Sequence, residues 1–387
     1  MVFLPFSFTQ QKKIKVVIVG GGYAGLAALT NLLQFAPDTD ITIIDPRSYH
    51  IKMTHLHETF RYPLSDLLVP FETIEKRYGC RHIQASFQID SEALRICQDN
   101  KRLVVNDEMV DFDYLIIASG CESKAIDSAG ASNILTLSNF TTVSGSDLLP
   151  NRLSDYDQPV PSISVVGGGA TGIQFLFEIQ QFLLRINKRA KLSLIHSGNH
   201  VLEQFPAGFG TYVESRMDDM DIAFYPNIYY CEQQVDQVLL IDKETKAQKM
   251  LPSDLAILFL GKKQQHTLSA NAFGQILVDQ KPLHNIFTAG DCSHYQSLGS
   301  NTLTAQSAVR KGKLVARNIL RHAGIPGLLE PYLHHELGYV VSLGASDAVG
   351  WLVAESNMIT GMPALTIKEL VEAQYDLLLA GIDTYVV

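Results

Sequence analysis

No two of the five cysteines, Cys80, Cys97, Cys121, Cys231 and Cys292, stand close enough in the chain to form a C-x-x-C or similar pair. Their spacing speaks against a zinc knuckle and a disulfide framework, and it fits a reducing cytosol. Surplus positive charge is also missing. The net charge is −9, the isoelectric point is near 5.7, and no basic stripe interrupts the acidic balance. A nucleic-acid surface is therefore not expected, and anionic membranes should attract the protein weakly. No run of 18 apolar residues is present, so no membrane-spanning helix is expected. The opening MVFLPFSFTQQKK has an apolar patch with no basic residues ahead of it and with Pro5 inside it, so it reads as a short arm and not a signal. What the chain does have is apolar material. With 387 residues, 46% of them hydrophobic, it can supply the cores of two or three domains.

The most informative stretch is Ile14 to Asp45. Lys15 to Val19 is a β-branched run suited to a buried parallel strand, and it ends in Gly20-Gly21-Gly22-Tyr23-Ala24-Gly25, a G-x-G-x-x-G turn leading into a helix. Gly20 permits the tight turn, Gly22 lets a pyrophosphate approach the backbone, and Gly25 lets helix and strand pack closely. The helix N-terminus, with its unpaired N–H groups and partial positive charge, would face the phosphates. A second strand, Ile41 to Ile44, delivers Asp45 twenty residues after Gly25, where a carboxylate can accept hydrogen bonds from a ribose diol. Together these features predict a dinucleotide-binding βαβ unit.

The segment after Asp45 carries His50, His55 and His57, but no accompanying cysteine or carboxylate pattern suggests a metal. A histidine positioned near a cofactor is the expectation. Ile83 to Gly120 reads as a meander of short strands that returns to the first sheet through Tyr114 to Ala118. Residues 121–160, rich in Ser, Asn, Asp and Pro, read as a connection. The opening theme then repeats. Ser162 to Val166 runs into Gly167-Gly168-Gly169-Ala170-Thr171-Gly172 and a long helix to about Ile186. Two such units in one chain imply two dinucleotides. The second strand of this unit, Lys191 to Ile195, ends in His196-Ser197-Gly198 where an acid would select against a 2′-phosphate. With Lys188, Arg189 and Lys191 nearby, NADPH is expected to be accepted alongside NADH. Later, Asn285 to Ala289 forms another buried strand with Gly290-Asp291 at its C-terminal end, and a helix follows from about Asn301-Thr302 to His322. The remainder holds a strand at Tyr339 to Leu343, a return strand and an amphipathic segment from Ile367 to Leu379.

These words, VVIVGGGYAG, DYLIIASG, SVVGGGATG, NIFTAGDC and TAQSAVRKG in that order, make the chain resemble the two-dinucleotide-binding flavoproteins of the pyridine nucleotide-disulfide oxidoreductase type. Within them it is most similar to the type II NADH:quinone oxidoreductases and the AIF-like quinone reductases. The resemblance implies an α/β fold with tandem Rossmann-like FAD and NAD(P)H domains and a small C-terminal α+β region. The expected division is 1–125 and 266–325 for the FAD domain, 126–160 for the connection, 161–265 for the inserted NAD(P)H domain, and 326–387 for the C-terminal region. It assigns FAD to Gly20, Gly22, Tyr23, Ala24, Gly25, Asp45, Pro46, Arg47, Ala85, Ala118, Ser119, Gly120, Gly290 and Asp291. It assigns the pyridine nucleotide, NADH or NADPH, to Gly167, Gly169, Ala170, Thr171, Gly172, His196 and Gly261.

The family's quinone-side motif A-Q-x-A-x-Q-x-G matches at Ala305, Gln306, Ala308 and Gly312 and departs at Arg310, where a second glutamine is usual. A second departure is Gln174, where these enzymes commonly carry a glutamate; Glu178, one helical turn on, is retained. The reacting groups implied are therefore Ala305 and Gln306 on the acceptor side and Gln174 and Glu178 on the nicotinamide side. Disulfide reductases of similar architecture place a cysteine pair soon after the second strand, yet residues 46–79 contain no cysteine. Electrons are thus expected to pass directly from flavin to a quinone-like or other small acceptor. The alternatives are a sulfide:quinone reductase and a redox-sensing NAD(P)H-binding flavoprotein without fast turnover. The expected location is cytoplasmic, with at most peripheral contact at the inner membrane surface because the family's basic C-terminal helices are replaced by an acidic tail; a homodimer is left open.

Overall fold

A computed structural model describes residues 13–87, 89–121, 124, 131–154, 160–262 and 267–385. The N-terminal arm read from the sequence lies outside these residues. Two β-sheets with parallel centres are built to the same plan, the first carrying an antiparallel far edge. In the first, Lys15–Val19 is flanked by Asp40–Asp45 and Tyr114–Ile117, and the sheet extends to Arg81–Gln84 on one side and Lys281–Thr288 on the other. Three further short strands complete its far edge. In the second, Ser162–Val166 is flanked by Lys191–Ile195 and Leu255–Leu258, with Ala223–Tyr225 and Ile134–Thr136 at the edges, all parallel. The central strands are buried on both faces, and for that reason they are continuous apolar runs and not alternating ones.

Each central strand turns through three glycines into a helix, Tyr23–Phe35 in the first unit and Ala170–Arg185 in the second. The helix Ala305–His322 packs along Tyr23–Phe35 so closely that a Cβ on Gly312 would lie 2.2 Å from the Ala24 carbonyl oxygen. Only a glycine permits that contact. The C-terminal region is α+β, as expected: strands Gly338–Ser342, Ala348–Leu352 and Ala354–Thr360 form an antiparallel sheet that packs against the helix Gly361–Leu379.

Four expectations need correction. The stretch Ile83 to Gly120 is not all strand, since Ser91–Asn100 is a helix whose N-cap Asp90 accepts the Ala93 N–H at 2.7 Å and which buries Leu94 and Cys97. The connection contributes structure of its own: Ile134–Thr136 adds a strand to the second sheet, and Gly145–Leu153 is helical. The third helix starts at Ala305 and not near Asn301, because Thr304 is its cap and accepts the Ser307 N–H at 3.0 Å. Asn301 instead turns inward, accepting from Tyr295 N and from the Lys311 ammonium. Finally, the C-terminal helix begins at Gly361, since Pro363 lies in its first turn, where the missing N–H costs nothing.

Candidate functional site

The two glycine turns open at the C-terminal edges of their sheets, where ligands of α/β proteins bind. In the first, Gly20 has φ +105°, and a Cβ there would stand 2.2 Å from the Ala118 carbonyl oxygen. A Cβ on Gly25 would meet the Gly20 oxygen at 2.0 Å, whereas one on Gly22 would meet nothing within 4 Å. Gly22 therefore faces open space at the helix N-terminus, the arrangement a pyrophosphate needs. The second turn repeats this: Gly167 has φ +116° and fits under the Phe259 oxygen, Gly172 packs on Gly167, and Gly169 meets only Gln204 Nε2, at 3.9 Å. Ala24 is buried under the first turn, while Ala170 and Thr171 open the helix of the second. At each turn the middle glycine leaves the backbone open to close approach.

What steadies the two turns differs in chemistry but not in place. Asp45 Oδ2 accepts the Gly21 N–H at 2.8 Å, and His196 Nδ1 accepts the Gly168 N–H at 3.1 Å. His196 thus does for the second turn what Asp45 does for the first. Because its Nδ1 accepts, its proton sits on Nε2, and burial lowers its pKa below the usual histidine value. Asp45 also takes Arg47 through the backbone N–H at 2.9 Å and through Nε at 3.1 Å. Arg47 is 42% exposed in its side chain and can swing aside for a ribose. Pro46 is fixed by its carbonyl accepting from Gln84, and Ala85 is buried with its N–H on the Asp45 carbonyl.

Around the strand ends, Ala118 is buried, Ser119 is exposed, and Gly120 and Gly261, both at positive φ, have no atom of the described residues within 4 Å of an added Cβ. Gly290 packs on Ala24. Asp291 pairs with the Lys262 ammonium, which also donates to the Leu303 carbonyl at 3.3 Å, and Cys121 Sγ donates to the same carboxylate at 3.5 Å. Burial pushes the Cys121 thiol up to about 11, so it stays protonated. Cys292 is buried with its thiol on backbone carbonyls.

The 3-10 helix Met53–Phe60 touches the first turn and the helix that follows the second. Thr54 Oγ1 lies 2.8 Å from the hydroxyl of Tyr23, in the first turn, and His57 Nε2 lies 3.5 Å from Gln174 Nε2 on the helix of the second. His57 also bonds Ser342 Oγ at 3.0 Å, and burial holds its pKa well below the usual value. His50 links the first turn to the C-terminal helix. Its Nδ1 lies 3.0 Å from the Gly21 carbonyl, an acceptor only, so the proton is on Nδ1 and Nε2 accepts from the Tyr375 hydroxyl at 3.0 Å. The histidine expected near a cofactor is thus fixed against the first glycine turn.

Two expected residues lie elsewhere than the sequence suggests. Glu178 is fully buried against Arg61, 3.0 Å from Nη2, which removes it from direct contact with a nicotinamide. Ala308 is buried in the core beside Gly290, whereas Ala305 and Gln306 stay half-exposed at the helix start. Lys191 opens its strand and Lys188 and Arg189 precede it, at the end opposite His196, so these cations do not serve the nucleotide edge. Sequence reasoning missed Lys262, although it follows a parallel strand on the ligand side. It also missed Arg61 and Ser342, which no local spacing ties to the turns.

The family model described as pyridine nucleotide-disulphide oxidoreductase matches residues 14–312, which include both turns and the Asp291 strand end. The chain belongs to that family. Among similar members, the type II NADH:quinone oxidoreductase of Staphylococcus aureus is 27% identical over 401 aligned positions, covering 96% of this chain and 97% of that protein. The structure of Plasmodium falciparum NDH2 in complex with NADH superimposes with a TM-score of 0.75 at 17% identity, covering 94% of each chain. The sulfide:quinone oxidoreductase of Aquifex aeolicus also reaches 0.75, at 16% identity, over 95% of this chain and 92% of that one. The fold is thus that of a two-dinucleotide-binding flavoprotein.

Proposed function

We propose that this member of the family is an FAD-dependent NADH:quinone oxidoreductase. The observation that carries the proposal is the pair of glycine turns, each open at its middle glycine, with the 3-10 helix Met53–Phe60 touching Tyr23 of the first turn and Gln174 on the helix that follows the second. Two dinucleotides laid on these turns would bring their reactive ends to one crevice. The full-length likeness to type II NADH:quinone oxidoreductases supports the same reading.

FAD, when bound, supplies the chemistry: it takes a hydride from the nicotinamide and hands two electrons to the acceptor. The protein orients and excludes. Gly22 and the helix start behind it would hold the FAD pyrophosphate, Asp45 the ribose, and Asp291 the ribityl chain. Gly169, Ala170 and Thr171 would hold the nucleotide pyrophosphate, with Gln174 beside the nicotinamide. Gln174 is held by Ser342 Oγ at 3.2 Å, which fixes its amide beside His57. The ammonium of Lys262 and the N-terminus of the helix Ala305–His322 place positive potential beside Asp291, where it would stabilise negative charge on a reduced ring. Ala305 and Gln306, half-exposed on the first turn of that helix, are the acceptor-side residues, with Gln306 able to donate to a quinone carbonyl.

Among the described residues no helix is long and apolar enough to cross a membrane. The C-terminal helix does expose Leu370 and Val371, and we place any membrane contact there, at the surface. The sulfide reductase reading is disfavoured by Cys121 and Cys292, whose thiols are engaged by a carboxylate and by backbone carbonyls.

The test is the visible spectrum. The purified protein should show bound flavin, bleach with one equivalent of NADH in the absence of oxygen, and recolour on adding a soluble quinone. Bleaching without recolouring on any quinone would favour a redox sensor, and a protein that neither carries nor takes up FAD would refute the assignment.

A further inference from the structure

The strand Lys191–Ile195 ends without an acid, yet a carboxylate reaches that place from farther along the chain. The loop after the strand folds back over the second turn and is fastened there by the Leu202 N–H on the Gly168 carbonyl at 2.8 Å. This brings one of two neighbouring side chains beside the second turn and the other beside the strand end. Gln204 Nε2 is the atom nearest Gly169, the glycine that faces open space, and Glu203 lies against Gly198, three residues past the strand end, where an added Cβ would stand 2.6 Å from its carboxyl group. Glu203 Oε1 accepts the backbone N–H groups of Asn199 at 2.7 Å and His200 at 3.2 Å. The carboxylate is therefore anchored by the loop through Oε1, and Oε2, with no hydrogen bond among the described residues, can accept from a ligand. In Rossmann units the adenosine ribose lies between the pyrophosphate turn and the end of the second strand, and an acid there binds the 2′-hydroxyl and repels a 2′-phosphate.

We propose that Glu203 is the specificity-determining residue of the second nucleotide site, accepting from the adenosine ribose of NADH and disfavouring NADPH. This rests on the reading above that the second turn binds a pyridine nucleotide, and it narrows the expectation of dual use drawn from the absent acid at the strand end. His196 does not oppose it. Its Nδ1 is occupied by Gly168, and burial keeps the ring neutral, so it offers a phosphate no charge. Lys243 does oppose it. Its ammonium donates to the Ser197 carbonyl at 3.1 Å at the same edge, with two further protons to offer a phosphate. An anchored carboxylate beside an ammonium gives discrimination that each residue pulls in its own direction. The pair is also invisible to a motif search, since Glu203 stands seven positions beyond His196 and Lys243 comes from the antiparallel strands that follow.

The test uses the FAD-loaded protein titrated calorimetrically with ADP-ribose and with 2′-phospho-ADP-ribose, fragments that bind without undergoing hydride transfer. The wild type should bind ADP-ribose about tenfold or more tighter than the phosphorylated fragment. Glu203→Gln, an exposed and nearly isosteric change, should bring the two within about threefold, chiefly by tightening the phosphorylated one, while Lys243→Ala should widen the gap. Bleaching of the flavin by NADH and by NADPH should follow the same order. An unchanged ratio in Glu203→Gln, or equal weakening of both fragments, overturns the inference while leaving the nucleotide site standing. If neither fragment binds the wild type, the nucleotide reading of the second turn falls and the inference falls with it.

Discussion

Arg61, at the C-terminal end of the 3-10 helix Met53–Phe60, reaches the second domain and pairs with Glu178. Nη2 lies 3.0 Å from Oε1, and Nε donates to Oε2 at 3.2 Å. Burial pushes the Glu178 carboxyl up to about 7, against the pull of the guanidinium. The pair thus ties together the two nucleotide-binding units whose relative placement hydride transfer depends on. Removing one partner of a buried pair leaves the other uncompensated, and Arg61→Met should cost about 3 to 5 kcal/mol in chemical denaturation. Arg61→Met with Glu178→Leu should recover most of that loss, because two apolar groups leave no buried charge behind.

The same carboxyl predicts a pH effect. Its folded pKa lies above the ordinary value of 4.5, so the folded state binds the proton more tightly than the unfolded chain. Stability from this group is therefore full below about pH 4.5 and is lost as pH rises towards about 7. Buried neutral His50 and His57 have the opposite sign over part of that range, because the unfolded chain binds their protons first. The wild-type melting curve alone would mix the two. Compared at each pH, Glu178→Gln should gain on the wild type from pH 5 to pH 8, by up to about 3 kcal/mol. A constant difference across that range would show that Glu178 titrates normally.

The glycines of the first turn should separate binding from folding. Gly22 has φ −82° and open space around it, so Gly22→Ala should fold with a loss of under about 1 kcal/mol, typical of an N-cap change, and yet purify with little FAD. Gly25→Ala places a Cβ 2.0 Å from the Gly20 oxygen and should lose about 1 to 3 kcal/mol or more before any ligand is considered. A full FAD complement on Gly22→Ala would mean the pyrophosphate lies elsewhere.

Much of this was legible because the βαβ unit is a local device. Strand, glycine turn, helix and second strand follow one another within about 30 residues, so residue types alone place Gly20, Gly22 and Gly25 in space. The helix Ser91–Asn100 was harder to see, since it buries only Leu94 and Cys97 and its face is otherwise polar. Long-range pairing was not legible. Arg61 and Glu178 stand 117 positions apart and His57 and Ser342 stand 285 apart, and nothing in either local sequence selects the partner. Lys311 shows the same limit. In the sequence it is one more cation of a basic helix, but in the structure it is 1% exposed and satisfied by Ser293 and Asn301. Burial of a charge depends on distant groups that satisfy it, and those come from tertiary packing.

Tyr375 tests how the C-terminal helix supports the first turn. Its hydroxyl donates to His50 Nε2, and His50 in turn holds the Gly21 carbonyl, so the chain of bonds ends on the FAD-side backbone. Tyr375→Phe leaves a buried imidazole nitrogen without its donor and should cost about 1 to 3 kcal/mol. Flavin should also dissociate faster from the variant, read as the rise of free-flavin fluorescence after dilution. Unchanged stability and unchanged release would mean that the ring stack on Tyr23, with centroids 4.4 Å apart, holds the helix without the hydroxyl.

The acceptor side is decided by Ala305. It opens the helix that begins after Asp291, half-exposed, with Gln306 beside it and the buried Ala308 behind it. Ala308 packs beside Gly290 and is buried, so on the proposed reading a flat acceptor would rest against Ala305 and take its hydrogen bond from Gln306. Arg310, one turn further on, places a guanidinium whose Nε has no hydrogen-bond partner among the described residues where the family usually has glutamine. The Ala305→Phe side chain would project from a half-exposed position, so the fold should tolerate it at a cost below about 1 kcal/mol. In stopped flow, flavin reduction by NADH should keep its rate, while reoxidation by a soluble quinone should slow by about tenfold or more. Gln306→Leu should slow reoxidation in the same direction by losing the donor. If Ala305→Phe slows both half-reactions equally, or neither, the acceptor does not bind at this helix start, and the face of the crevice beside Gln174 becomes the place to look.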